Sequence, residues 1–159
     1  MRKQKVYLET TLFNFFFDEE RGFAHEGTLK FFSEIAMGRY EAYTSRIVVN
    51  ELNNAPETKR EQMLNLIIKY EIPILEINEE AVRIADLYVT ESIIPQKYRT
   101  DGLHIAIATV NDLDMIISMN FQHIVKRKTR IGTANINALN GYKPVEIYSP
   151  MEVIEDEND

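Results

Sequence analysis

The stretch Thr100–Asn120, TDGLHIAIATVNDLDMIISMN, holds two rhythms back to back. In its first half Leu103, Ile105, Ala106, Ile107, Ala108 and Val110 place apolar residues on almost every side of a helix. That helix is expected from Asp101 to about Asn111, capped by Thr100, and one apolar all round must be buried. In its second half Met115–Ser118 is a short continuous apolar run behind the turn-forming Asn111–Asp114. Such a run predicts a strand covered on both faces. A buried helix feeding a doubly buried strand is the unit from which parallel α/β sheets are built.

The same alternation extends in both directions. Strands are expected at Lys5–Leu8, Glu41–Thr44, Ile72–Glu76 and Val145–Tyr148 as well as Met115–Ser118. Helices are expected at Thr11–Phe17, Thr28–Met37, Arg46–Asn53, Pro56–Tyr70 and Asn78–Glu91, and Phe121–Val125 and Ile131–Leu139 also read as helical. Gly22 and Gly27 mark a turn, Gly38 stops the helix before it, and Ser45 and Asn78 can cap the helices they precede. The expected fold is three-layer α/β/α with a central, mainly parallel sheet of about five strands.

Length and composition agree. The chain of 159 residues suits one domain, and 45% hydrophobic with 27% charged residues is a globular composition. Residues 1–150 are expected to form that domain, with 151–159 as an acidic, flexible tail ending in Glu155, Asp156, Glu157, Asn158 and Asp159. There is no cysteine. Disulfides, thiolate metal sites and cysteine nucleophiles are therefore excluded, which suits a reducing, cytoplasmic setting. No apolar run reaches the roughly 18 residues a membrane helix needs. The apolar stretch behind the basic start MRKQK is interrupted by Glu9, which makes a poor signal peptide. The net charge of −7 counts against a generic nucleic-acid binder. The charge is uneven, however: Lys126, Arg127, Lys128 and Arg130 form a local basic run.

In an open parallel sheet, ligands bind beyond the carboxyl ends of the strands. Glu9 follows the first strand directly, and Asn120 holds the equivalent place after Met115–Ser118. The helix preceding that strand runs antiparallel to it, so Asp101 at its start falls near Asn120. Glu51, on the second turn of the helix after the second strand, lies toward the same edge. Three carboxylates gathered there repel unless something positive compensates, and oxygen ligands suit Mg²⁺ or Mn²⁺ better than zinc. Asp112 is about 16 Å along the helix from Asp101, and Asp114 precedes its strand, so both are read as turn residues at the far edge. Each acid also has a plain structural reading: Glu9 and Asp101 as helix-start acids, Glu51 as a solvated helix residue, and Asn120 as a cap. His104, one turn after Asp101, is read first as a packed, hydrogen-bonded histidine, and His123 likewise as structural. Phe15-Phe16-Phe17 is read as core or a dimer surface. No phosphate-cradling glycine loop, nucleophile elbow or HExxH motif is present.

These residues resemble a known family. VYLETTLFNFFFD is similar to the opening strand and turn of the PIN-domain nucleases. SRIVVNEL resembles their second motif, with Glu51 at its acid, and YRTDGLHIAIATVNDLDMIISMNFQHI resembles their third and fourth. The match runs from Val6 to about Tyr148 and rests on order and spacing. It points to stand-alone PIN proteins, of which VapC-like toxins are the best-known class. Two positions depart: Glu9 stands where Asp is usual, and Asn120 where Asp is common. The longer acid shifts the geometry of a metal site, and the lost charge weakens a second ion more than a first.

What the resemblance implies is a divalent-metal-dependent endoribonuclease cutting single-stranded RNA, with Mg²⁺ or Mn²⁺ as cofactor. Glu9, Glu51, Asp101 and Asn120 would form the catalytic set, and Glu9, Glu51 and Asp101 would hold the ion. Thr10, Ser118 and His104 would stand behind them, and Lys126, Arg127, Lys128 and Arg130 would meet the substrate's phosphates. Homodimerisation and an antitoxin partner follow from the resemblance alone. Two other readings stay open: a catalytically weak PIN scaffold that binds RNA or a protein, and a metal-dependent phosphatase.

Overall fold

A computed structural model describes residues 2–155. Its strands are β1 (Gln4–Leu8), β2 (Tyr40–Ser45), β3 (Ile74–Leu75), β4 (Met115–Ile117) and β5 (Glu146–Tyr148). They lie in the order β3-β2-β1-β4-β5, and every neighbouring pair is parallel. β1 is central because Val6, Tyr7 and Leu8 are all fully buried, a pattern only a strand covered on both faces can satisfy. Met115, Ile116 and Ile117 of β4 are buried likewise. The short continuous apolar runs are therefore strands, as the sequence predicts.

The helices are α1 (Thr10–Phe17), α2 (Phe23–Ala36), α3 (Arg46–Leu52), α4 (Glu57–Lys69), α5 (Glu79–Thr90), α6 (Arg99–Val110), α7 (Arg127–Leu139) and α8 (Pro150–Val153). The chain steps outward from β1 through β2 to β3, then crosses back to β4 and on to β5. With right-handed crossovers this puts α1–α4 on one face and α5–α7 on the other. The packing agrees: α1 lies against α2, α3 and α4, while α5 lies against α6 and α7. The direction of winding reverses between β1 and β4. A crevice must open there beyond the strands' carboxyl ends.

Four expectations are corrected. α2 begins at Phe23 rather than Thr28, because the turn is made by Gly22 alone, at φ 53°. Gly27 sits inside the helix, where a Cβ would stand 2.9 Å from Met151 Cγ, so its role is to let α8 approach. Phe121–Val125 is a turn, not a helix: the Asn120 carbonyl accepts from both Ile124 N and Val125 N, and Lys126 is extended. α7 consequently starts at Arg127, ahead of the expected Ile131. α6 starts at Arg99, before Thr100, which caps nothing.

The fourth correction concerns the tail expected from residue 151. α8 is a helical turn closed by a capping box, in which Ser149 and Glu152 satisfy each other's backbone N–H. Glu155 N donates to Glu34 Oε2 at 3.0 Å, and Arg39 pairs with both Glu34 (3.1 Å) and Glu155 (3.2 Å). The fold therefore continues through Glu155, and the remaining acidic residues, 156–159, lie outside the described part. Among the described residues no helix is long and apolar enough to cross a membrane.

Candidate active site

Glu9 is fixed by three elements at once. Its own N–H donates to Ile117 O (3.1 Å), which carries the β1–β4 ladder one residue past β1. It is the N-cap of α1, so its backbone stays extended while its side chain accepts from Thr11 N at 3.2 Å. The same oxygen, Oε1, accepts from the hydroxyl of Thr11 and from Ser118 Oγ (2.6 Å), which follows β4. Thr11 Oγ1 in turn accepts from Met119 N (2.8 Å), and Ser118 Oγ accepts from Asn120 N (2.9 Å). Only 3% of Glu9 is exposed. Its other oxygen, Oε2, takes no hydrogen bond from the described residues. Glu9 is thus a helix-start acid and a buried crevice carboxylate together. The hydroxyl that serves it is Thr11, which the sequence does not single out, alongside Ser118, which it does.

Asp101 lies in the first turn of α6, and α6 leads back to β4 through the Asn111–Asp114 turn. Its carboxyl is held above the ordinary range: burial contributes most and the charge of Glu9 adds to it, against the opposing influence of His104, His123 and the Asn120 amide. Glu9 and Asp101 thus lie toward the same crevice, close enough for the charge of Glu9 to bear on the Asp101 carboxyl. Neither forms an ion pair among the described residues.

Glu51, on α3, faces a different set of groups. Its Oε1 accepts from His104 Nε2 (2.6 Å) and from Thr10 Oγ1 (2.9 Å). His104 is fully buried, and its Nδ1 meets the Tyr7 hydroxyl at 2.6 Å. That hydroxyl also meets Ser45 Oγ at 2.7 Å, and Ser45 Oγ caps α3 by accepting from Ile47 N (3.2 Å). The result is a buried line, Ser45–Tyr7–His104–Glu51–Thr10, across the ends of β1 and β2 and the starts of α1, α3 and α6. A carboxylate only accepts, so Nε2 carries a proton in either charge state, and the titration of His104 occurs at Nδ1. Burial works to lower the His104 pKa, but the Glu51 hydrogen bond and the charges of Glu9, Glu51 and Asp101 outweigh it, and the net shift is upward. Glu51 moves the other way: burial would raise it, and His104 and Thr10 together bring it below the ordinary range. The Tyr7 hydroxyl is pushed well up by burial and stays neutral.

The packed, hydrogen-bonded reading of His104 therefore holds. The sequence marks Ser45 only as a helix cap and Tyr7 only as a strand residue, not as parts of this line. A tyrosine inside a strand buried on both faces is the signal that was available, because a buried phenol nearly always has a partner. Thr10 stands behind Glu51 rather than Glu9.

Asn120 makes an Asx turn, with Oδ1 accepting from His123 N at 3.0 Å. His123 stacks on Tyr98, ring centroids 3.8 Å apart, and its Nδ1 is buried without a partner among the described residues. Lys126, Arg127 and Lys128 stand at the start of α7, the last two exposed. Arg130 is committed elsewhere: it donates to Ile147 O (3.1 Å) and pairs with Glu152 (3.3 Å). It is a structural cation, contrary to its expected place in a phosphate-binding run. Asp112 is a left-handed turn residue at φ 57°, and Asp114 pairs with Arg2 and Lys143 at the opposite edge of the sheet, as expected.

Glu51 is hydrogen-bonded to His104, and the charges of Glu9 and Asp101 act on that same imidazole. Among the described residues no group of three or more His, Asp or Glu side chains is placed to hold a metal ion. Glu9 and Asp101, with the Asn120 amide beside Asp101, nevertheless offer an oxygen-only donor set that forms no ion pair among the described residues. Those are the features a hard dication requires.

No protein-family model matches the chain, and no curated protein matches it significantly in sequence. Among solved structures, the complex of VapBC2 from Rickettsia felis bound to a DNA fragment from their promoter contains a similar chain. The two share 12% identity, with a TM-score of 0.56, over 92% of this chain and 98% of that one. The likeness spans nearly the whole of both chains and shows a shared fold, the three-layer α/β/α architecture with its parallel sheet.

Proposed function

We propose that the chain is a divalent-metal-dependent endoribonuclease that hydrolyses phosphodiester bonds of single-stranded RNA, and that it acts as the toxin of a toxin–antitoxin pair. The observation that carries this reading is the Glu9–Asp101 pair. Two carboxylates from distant segments lie toward the topological switch point, close enough for the charge of Glu9 to raise the pKa of the Asp101 carboxyl, and neither forms an ion pair among the described residues. Bound Mg²⁺ or Mn²⁺ would supply a water of lowered pKa and polarise the scissile phosphate. Glu9 Oε2 and the Asp101 carboxylate would hold it, with the Asn120 amide turned toward a water or the phosphate. Thr11 and Ser118 keep Glu9 in its rotamer by occupying Oε1. Glu51, held by His104 and Thr10, would orient the attacking water. The likeness to a VapBC2 chain supports a second protein as antitoxin partner.

One observation favours the alternative of a scaffold that binds RNA or protein without cutting: Oε1 of Glu51 is committed to His104 and Thr10. Cleavage of mixed RNA in Mn²⁺ decides between them. Wild type should cut and be silenced by EDTA, and Asp101→Asn should lose at least about a hundredfold in rate, as expected when a ligand of the activating ion is removed. Equal cutting by the variant would place the chemistry elsewhere.

A further inference from the structure

Beside Asp101 a cleft of about 710 Å³ runs outward between the start of α6, the Asn120 turn and the α1–α2 connection. Its walls are unusual for a chain of charge −7. Phe121 lies on the turn and is 52% exposed. Tyr98 forms another wall and cannot swing away, because one of its faces is stacked on His123 at 3.8 Å. Phe15 forms a third.

Two cations rest on these rings. The Arg21 guanidinium lies 5.0 Å from the Phe15 centroid and is also paired with Asp18 at 3.0 Å, and Lys97 Nζ lies 5.7 Å from the centroid of Tyr98. The Asn120 and Gln122 amides complete the lining. The exposed Phe121 ring, the two cations and the amides at the edge form one combination, which a flat, apolar-faced, hydrogen-bonding group attached to an anionic chain fits.

We propose that this cleft is a base-binding subsite, in which an unpaired nucleobase next to the scissile phosphate stacks on Phe121 while Arg21 and Lys97 meet the flanking phosphates. The inference rests on the nuclease reading of the adjoining acids and supplies what that reading lacks, a reason for preferring single strands. A base in a duplex has no free face to offer Phe121. Gln122 is placed to touch the edge of the stacked base, which makes it the residue that biases the choice of base.

The test is fluorescence anisotropy with short labelled single-stranded oligomers in EDTA, where no cleavage occurs. Phe121→Ala should raise Kd about tenfold, within the range for loss of one base–aromatic stack, and Phe121→Trp should restore affinity to within about twofold. An oligomer abasic at the central position should bind wild type about as weakly as the intact oligomer binds Phe121→Ala. Arg21→Ala should lessen the salt dependence, by about 0.7 in the logarithmic slope for each phosphate that is no longer neutralised. RNA and DNA oligomers of one sequence form separate arms, and tighter RNA binding marks the 2′-hydroxyl as part of what is read. Affinity unchanged in Phe121→Ala, or unchanged by the abasic site, would overturn the subsite even if wild type cuts RNA in Mn²⁺. Phe121-dependent binding by a protein that never cuts would uphold the subsite and dispose of the nuclease reading.

Discussion

At the level of single residues, the chemistry turns on how a buried carboxylate finds donors. Glu9 is one methylene longer than the usual aspartate, and the extra reach carries Oε1 to Ser118 across the β1–β4 pair while Oε2 remains free. Glu51 solves the same problem with an imidazole. That pairing yields a pH prediction. The folded-state pKa of His104 is raised above its ordinary 6.5, so the folded chain binds that proton more tightly than the unfolded chain. The stability this contributes is fully present below about pH 6.5 and is lost as pH climbs through the raised value. In EDTA, thermal melting of wild type and His104→Gln should therefore differ more at pH 6 than at pH 8. A pH-independent difference would mean that the histidine is neutral in the fold throughout. The placing of Glu9, Glu51, Asp101 and Asn120 toward one edge of the sheet was legible, because the apolar pattern locates the strands and helices that carry them. The hydrogen bond from His104 to Glu51 was not, because side-chain rotamers decide it.

At the level of elements, the Thr100–Asn120 stretch behaves as its pattern requires, and the segment after it does not. Phe121–Val125 has apolar residues at plausible helical spacing, yet Asn120 bonds its own following backbone and closes a turn instead. The helix that follows starts earlier than expected, so Lys126 becomes the N-cap of α7 while Arg127 and Lys128 open its first turn. Cations there oppose the helix dipole and cost a few tenths of a kcal/mol each, on the order of surface dipole effects. Unfavourable placement on an exposed helix start suits a surface that meets anions. Changing Lys126, Arg127 and Lys128 together to Gln should weaken RNA binding and flatten its salt slope, while leaving Tm unchanged or slightly higher. Unaltered binding would show that the run is only a solvated helix start.

At the level of the whole molecule, the sheet order places the crevice and the last turn of chain closes the structure. α8 lies on α2 over Gly27, Tyr40 donates to Val153 O at 2.9 Å, and the nearly buried Glu34 is satisfied by Arg39 and Glu155 N. Removing everything after Tyr148 would uncover this face of α2 and leave Glu34 with only Arg39. We expect such a truncation to lower Tm by roughly 5–15 °C, corresponding to a few kcal/mol in a domain of this size. Oligonucleotide binding at temperatures where the shortened protein stays folded should be kept, because the crevice lies at the carboxyl ends of the strands. Melting at the wild-type temperature would show that the segment only lies on the surface.

The sequence by itself determined the layers, the parallel sheet and the edge on which the acids would gather. Hydrophobic periodicity and turn chemistry are local, and the handedness of crossovers then leaves little choice of topology. Only the tertiary structure decided which hydroxyl serves which carboxylate, that Glu51 bonds a buried histidine backed by Tyr7, that Arg130 is tied to β5, and that an open aromatic cleft adjoins Asp101. Those outcomes depend on distances between side chains far apart in the chain. Hydrogen bonds and charge interactions at a few ångströms are settled by packing, which no local pattern of residues encodes.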